Sequence, residues 1–179
     1  MDAFLYVCFY FVDVVDATLL ALAGLKRLGM HDLVAQSHVI SWEDMLPAVA
    51  QGAIGIQCRS DDNNALSLLA ALNHPATKAA VDCERAFLGT LDGNCRTPIA
   101  GQAKIVNSKL VFQGLISKPD GSGMIRVAMD SEVKDAVALG LKAGNEIRRI
   151  AGDKFTEYQE AYTQAKDAAS TGSWANLKA

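Results

Sequence analysis

The sequence predicts two kinds of architecture in succession, an α/β segment and then a small α+β domain. Three observations carry this. Up to about residue 94, apolar β-branched runs alternate with helical ones. Three β-type runs then follow one another, separated by good turn residues. An amphipathic helix comes next, and the chain ends in a polar stretch. Half of the 179 residues are apolar, enough to build a core.

Residues 3–12 form an unbroken apolar run ended by Asp13. A membrane-spanning helix needs roughly 20 such residues, so this run is too short for one and reads either as a buried strand or as a wrongly assigned start. It also lacks the basic start of a signal peptide, and it is too acidic and too poor in Arg and Ser for a transit peptide. A second strand is predicted from Val14, passing into a short helical turn over 23–28 that Gly29 closes. Residues 42–51 read as a turn or short helix, and Ala53 to Arg59 as a further strand.

Ser60-Asp61-Asp62-Asn63 is a helix-start cluster, and Asn73-His74-Pro75 is another with proline near the first helical position. The second helix carries Ala80, Cys83, Phe87 and Leu91 on one stripe and is expected to stop at Gly93. The three β-type runs are 102–106, 109–116 and 124–129, with turns at Asn107-Ser108 and at 119–123. They predict an antiparallel meander. The last helix is expected after Asp130-Ser131, with Val133, Val137, Leu141, Gly144 and Ile147 on its inner face, ending near Gly152. Beyond it, Phe155, Tyr158 and Tyr162 are the large anchors of a loosely docked tail.

Seventeen basic residues against twenty acidic ones give a net charge of -3, which argues against a nucleic-acid protein. Cys8, Cys58, Cys83 and Cys95 form no C-x-x-C pair, and His31, His38 and His74 lie far apart, so no metal site is expected. At this low density the thiols read as reduced rather than as a disulfide framework. Cys83 belongs to a helical core stripe, and Cys58 is structural on the same kind of argument. Cys95 sits in a loop beside Arg96, where a cation favours the thiolate. On spacing alone the small apolar loop residue is the favoured reading.

Six stretches, in order and in register, resemble the porphobilinogen deaminases, the plastid-type members most closely. They are residues 16–29, 46–59, Leu72-Asn73-His74, Cys83-Glu84-Arg85-Ala86-Phe87, 91–101, and Gly114-Leu115 with Pro119-Asp120-Gly121. The resemblance covers about residues 16–152 and implies only the C-terminal half of a three-domain enzyme. Residues 1–94 would then be the end of domain two and the return segment of domain one, a partial periplasmic-binding-protein-like α/β region. Residues 95–152 would be the cofactor-carrying α+β domain, and 153–179 a polar tail.

The resemblance implies hydroxymethylbilane synthase activity, in which four porphobilinogens are joined with loss of ammonia. It implies a covalent dipyrromethane cofactor on Cys95, with Gln51 in contact with it. Arg27 and Arg59 match positions that hold the substrate's carboxylates, which suit guanidinium forks. On spacing alone each is a surface arginine. It further implies a monomeric full-length enzyme acting on a small molecule in the plastid stroma, or otherwise the cytoplasm, with neither nucleic acid nor membrane as partner.

The family's Lys-Asp-Val-Pro-like stretch, which bears its catalytic aspartate, has no counterpart, since Lys134-Asp135 and Lys166-Asp167 lack the following Val-Pro. Its Ser-Leu-Arg-Arg stretch is missing too, and Arg148-Arg149 does not replace it. No catalytic residue is therefore assigned, and inactivity is predicted without a complementary N-terminal half. The alternative is a non-catalytic fragment or interaction domain that keeps the fold.

Overall fold

The computed structural model describes residues 5–12, 15–30, 38–93, 97–158 and 160. Cys95, Arg96, His31 and Tyr162, named above, lie outside them.

The N-terminal apolar run forms strand β1 (Leu5–Val12), which pairs antiparallel with β2 (Val15–Ala21). On its other side β1 pairs with the two-residue β3 (His38–Val39), giving the order β2-β1-β3. Helix α1 (Leu22–Arg27) follows and buries Leu22 and Leu25. Gly29 ends it at φ 69, where the Met30 N–H reaches back to the Leu25 carbonyl at 3.0 Å.

Residues 53–59 do not form the expected strand. The run has β-type composition, but among the described residues no strand pairs with it, and Ile54 and Ile56 stand 87% and 60% exposed. A strand is stabilised by its ladder partner, so composition without a neighbour leaves open backbone. Helix α2 (Asn63–Ala70) starts where predicted, with the Asp62 carboxylate accepting from the Ala65 N–H at 3.0 Å.

The main core is built by helix α3 (Pro75–Thr90), strands β4 (Ile99–Val106), β5 (Lys109–Ile116) and β6 (Ile125–Glu132), and helix α4 (Ala136–Ala151). The His74 ring caps α3 by accepting from the Thr77 N–H, with Pro75 at its start. Its predicted stripe is correct, since Cys83, Phe87 and Leu91 are fully buried. The stop differs by a residue: the left-handed position after α3 is Asp92 at φ 52, and the Gly93 N–H bonds the Leu88 carbonyl.

The meander has the order β4-β5-β6 with unbroken antiparallel registers. Asn107 and Ser108, both at positive φ, make its two-residue turn. Strand β4 starts three residues earlier than predicted, and β6 runs through Asp130 and Ser131 to Glu132. The last helix therefore begins later, after a 3-10 turn over Val133–Asp135.

The inner face of α4 also needs correction. Val137 and Leu141 are 51% and 46% exposed, whereas Ala136, Leu139, Gly140, Ala143, Gly144, Ile147 and Ala151 are buried. Small residues win because the two helices touch backbone to backbone. A Cβ on Gly140 would lie 2.1 Å from the Cys83 carbonyl oxygen, and one on Gly144 would lie 2.6 Å from Thr90 Cβ. After α4, Phe155 and Tyr158 dock into the same core.

Candidate functional site

The loop of residues 47–52 is stitched to the C-terminal core at two points, Pro47 and Ala50. The Gly101 N–H donates to the Pro47 carbonyl at 3.0 Å, which lays the loop along β4. Glu84 of α3 accepts from the Ala50 N–H at 2.7 Å and from the Ala103 N–H at 2.8 Å, one per carboxyl oxygen. One side chain therefore joins loop, helix and strand. Upstream of the loop, the Lys104 ammonium lies 4.2 Å over the Trp42 ring and Arg126 reaches the Glu43 carbonyl.

Ala50 and Gly52 both have positive φ, at 59° and 82°. For a residue with a Cβ that conformation costs about 1 kcal/mol, and the bond to Glu84 holds Ala50 in it. Between them Gln51 is presented at the apex, exposed. It borders an open cleft of about 340 Å³, also lined by His74, Thr77, Glu84, Gln102 and Lys104. Gln102, in the same lining, is 9% exposed.

Burial pushes the Glu84 carboxyl above the ordinary range, while the two backbone N–H donors pull the other way without cancelling it. Its neighbour Cys83 is pushed up to about 12, first by burial and then by the charge of Glu84. That thiol is a core group, as its place on the stripe predicts.

Of the residues singled out from sequence, Gln51 reaches the cleft. Arg27 is exposed in the last turn of α1 and does not line it. Arg59 does not line it either; its side chain is 80% exposed and lies near Asp61 and Asp62 at 3.8 and 3.4 Å. Cys95 lies outside the described residues, but both its flanks are fixed. The Asp92 and Gly93 N–H groups bond carbonyls of α3, and the Pro98 carbonyl accepts from the Ser117 N–H at 3.1 Å. The residue that sequence reasoning missed is Glu84. Its signal was its position, four after Ala80 and three before Phe87, which places a carboxylate at the edge of an apolar stripe.

The loop is clasped to β4, the strand that follows Cys95 in the chain, and the cleft at the loop is lined by the first half of α3 and by residues 102–105. Gln51, Gln102 and Lys104 in that lining are residue types that donate hydrogen bonds to a carboxylate-bearing small molecule, and Glu84 adds a carboxyl of its own. Residues 11–67 match the family description "Porphobilinogen deaminase, dipyromethane cofactor binding domain". Residues 78–149 match "Porphobilinogen deaminase, C-terminal domain".

The chain is 50% identical over 145 residues to the chloroplastic porphobilinogen deaminase of Pisum sativum, covering 79% of this chain and 39% of that protein. It is 49% identical over 144 residues to the chloroplastic protein of Oryza sativa subsp. japonica, covering 79% and 40%. Against the porphobilinogen deaminase of Nitrobacter winogradskyi it is 44% identical over 140 residues, covering 78% and 44%. The chain belongs to the porphobilinogen deaminase family, a family of transferases whose cofactor is a dipyrromethane. It spans about two-fifths of the length of the relatives it matches.

Proposed function

We propose that this chain is the cofactor-carrying part of a hydroxymethylbilane synthase, with Cys95 joined by a thioether to the dipyrromethane. The observation that carries this reading is the Glu84 clasp, which fixes the Gln51 loop against β4, the strand that the Cys95 connection enters. Gln51 contacts the cofactor from its left-handed turn. Arg27 and Arg59 serve the acetate and propionate groups of porphobilinogen once the rest of the enzyme surrounds them. When bound, the dipyrromethane supplies an anchored pyrrole end to which four porphobilinogens add with loss of ammonia.

In this reading residues 1–94 complete a periplasmic-binding-protein-like pair of domains, and 95–152 form the cofactor-carrying domain on which α3 packs. Residues 153–179 are a tail. The carboxylate that stabilises cationic pyrrole intermediates lies in the complementary N-terminal half, and loss of such a group costs orders of magnitude in rate. The full enzyme is a monomer, and the likeness to chloroplastic proteins favours the plastid stroma. The test is reconstitution. The chain alone should leave porphobilinogen unconsumed. Mixed with the part of the Pisum sativum protein that it does not match, it should consume porphobilinogen and release ammonia. Consumption by the chain alone, or none by the mixture, would refute the proposal.

A further inference from the structure

The cleft beside the Gln51 loop is lined by a buried polar side chain that the fold does not pair. Gln102 of β4 is 9% exposed, yet among the described residues its side-chain amide meets no hydrogen-bond partner. Among those residues no side-chain nitrogen or oxygen sealed from solvent lacks a partner. The Gln102 amide therefore keeps an opening, and the open space that Gln102 borders is the cleft. An amide held in this way is costly to the fold until water or a ligand meets it.

The same wall favours an anion. The Lys104 ammonium is held 4.2 Å over the Trp42 ring, with the exposed Glu43 also in its field. Helix α3 begins at the cleft, with His74, Ala76 and Thr77 in the lining, so the positive end of a 16-residue helix borders it. Glu84, the acid in the lining, engages one carboxyl oxygen with the Ala50 N–H and the other with the Ala103 N–H. Its burial also favours the neutral form, which weakens its repulsion of a second carboxylate. Ala53, Ala80 and Val81 add apolar wall, and about 340 Å³ admits one small ring.

We infer that the cleft is a binding site for the carboxylate of a small ring-bearing acid, with Gln102 and Lys104 as the residues that hold it. They stand two apart on β4, so their side chains leave the strand on the same face. The amide donates a hydrogen bond and the ammonium a charge-assisted one. The pyrrole acids of the proposed reaction are one source of such a carboxylate, and unrelated aromatic acids are another. The inference goes beyond the reading of Cys95 as cofactor carrier and stands whether or not that cysteine is loaded.

The test titrates the full chain, isotope-labelled in its glutamine side chains, with porphobilinogen, with phenylacetate and with pyrrole, the ring without acids. Nuclear magnetic resonance follows the Gln102 amide signal, assigned by its loss in Gln102→Leu. At least one of the two acids should shift that signal to saturation, and pyrrole should not. A response to porphobilinogen alone assigns the site to pyrrole acids, and a response to phenylacetate assigns it to small aromatic carboxylates at large. Affinity should fall about tenfold or more in Gln102→Leu and in Lys104→Met, each of which removes a donor to a charged group. Protection of the buried Cys83 from iodoacetamide shows that a variant keeps its core, and where Gln102→Leu loses that protection, Lys104→Met decides. The inference is overturned if neither acid moves the Gln102 signal at millimolar concentration, or if pyrrole moves it as far as the acids do. Binding by folded Lys104→Met as tight as that of wild type overturns it too. A chain that never gains a dipyrromethane leaves this titration standing, so the two readings fail separately.

Discussion

Glu84 offers the sharpest perturbation, because a single buried carboxyl joins three segments through two backbone donors. In Glu84→Ala both donors lose their partner. An orphaned buried N–H costs about 1–3 kcal/mol. Ala103 is buried and Ala50 only half-buried, so the full penalty applies at the strand and a smaller one at the loop. The expected loss is about 2–4 kcal/mol. Glu84→Gln keeps one acceptor and aims an NH2 at the other N–H, for about 1–3 kcal/mol. The pH dependence separates the contributions. Burial holds the folded carboxyl above its unfolded value of 4.5, so the fold prefers the protonated form. The contribution of Glu84 is therefore complete below the unfolded value and declines as pH rises through the folded one. Urea unfolding of wild type and Glu84→Gln across pH 4 to 8, on the order of the window in which raised carboxyls titrate, reads this directly. The advantage of wild type should shrink as pH rises. An advantage that grows with pH would refute the reasoning, because the N–H donors would then outweigh burial.

Glycines give a pair of opposite signs. Gly140→Ala drives a Cβ into the Cys83 carbonyl and should destabilise by about 1–3 kcal/mol, overpacking outweighing the gain in helix propensity. Gly89→Ala, also helical but with nothing within 4 Å of the added atom, should stabilise by about 0.5–1 kcal/mol. Thermal unfolding of both variants checks the pair, and a stabilised Gly140→Ala would mean that α3 and α4 do not meet as described. The Cys83 thiol, pushed up to about 12, should alkylate at pH 8 on the order of a thousandfold more slowly than a thiol of ordinary value. Peptide mapping after iodoacetamide measures it, and rapid labelling of Cys83 would contradict the buried stripe.

What was legible in the sequence follows a physical pattern. The α3 stripe could be read because Cys83, Phe87 and Leu91 are large enough to mark the core face by themselves. The Asn107-Ser108 turn was visible because few residue pairs accept two positive φ values in succession. The inner face of α4 was misread because it is defined by missing side chains, Gly140 and Gly144, while the bulkier Val137 and Leu141 point outward. Close approach of two helices is a property of the pair, which one helix's periodicity does not reveal. Residues 53–59 failed as a strand for a similar reason, since pairing depends on a distant neighbour. In the site, Gln51 was found through family likeness and its place at the cleft came from the structure. Glu84 was passed over because a carboxylate on a helix reads as solvated until the backbone donors it meets are known.

If Cys95 carries the cofactor, the intact mass of the chain shows it. The chain is expressed with the complementary part of the Pisum sativum protein in cells that make porphobilinogen, and then weighed. The expected result is a gain equal to one dipyrromethane, abolished by Cys95→Ser and untouched by Cys83→Ser. An unmodified mass, or a gain that survives Cys95→Ser, would contradict it.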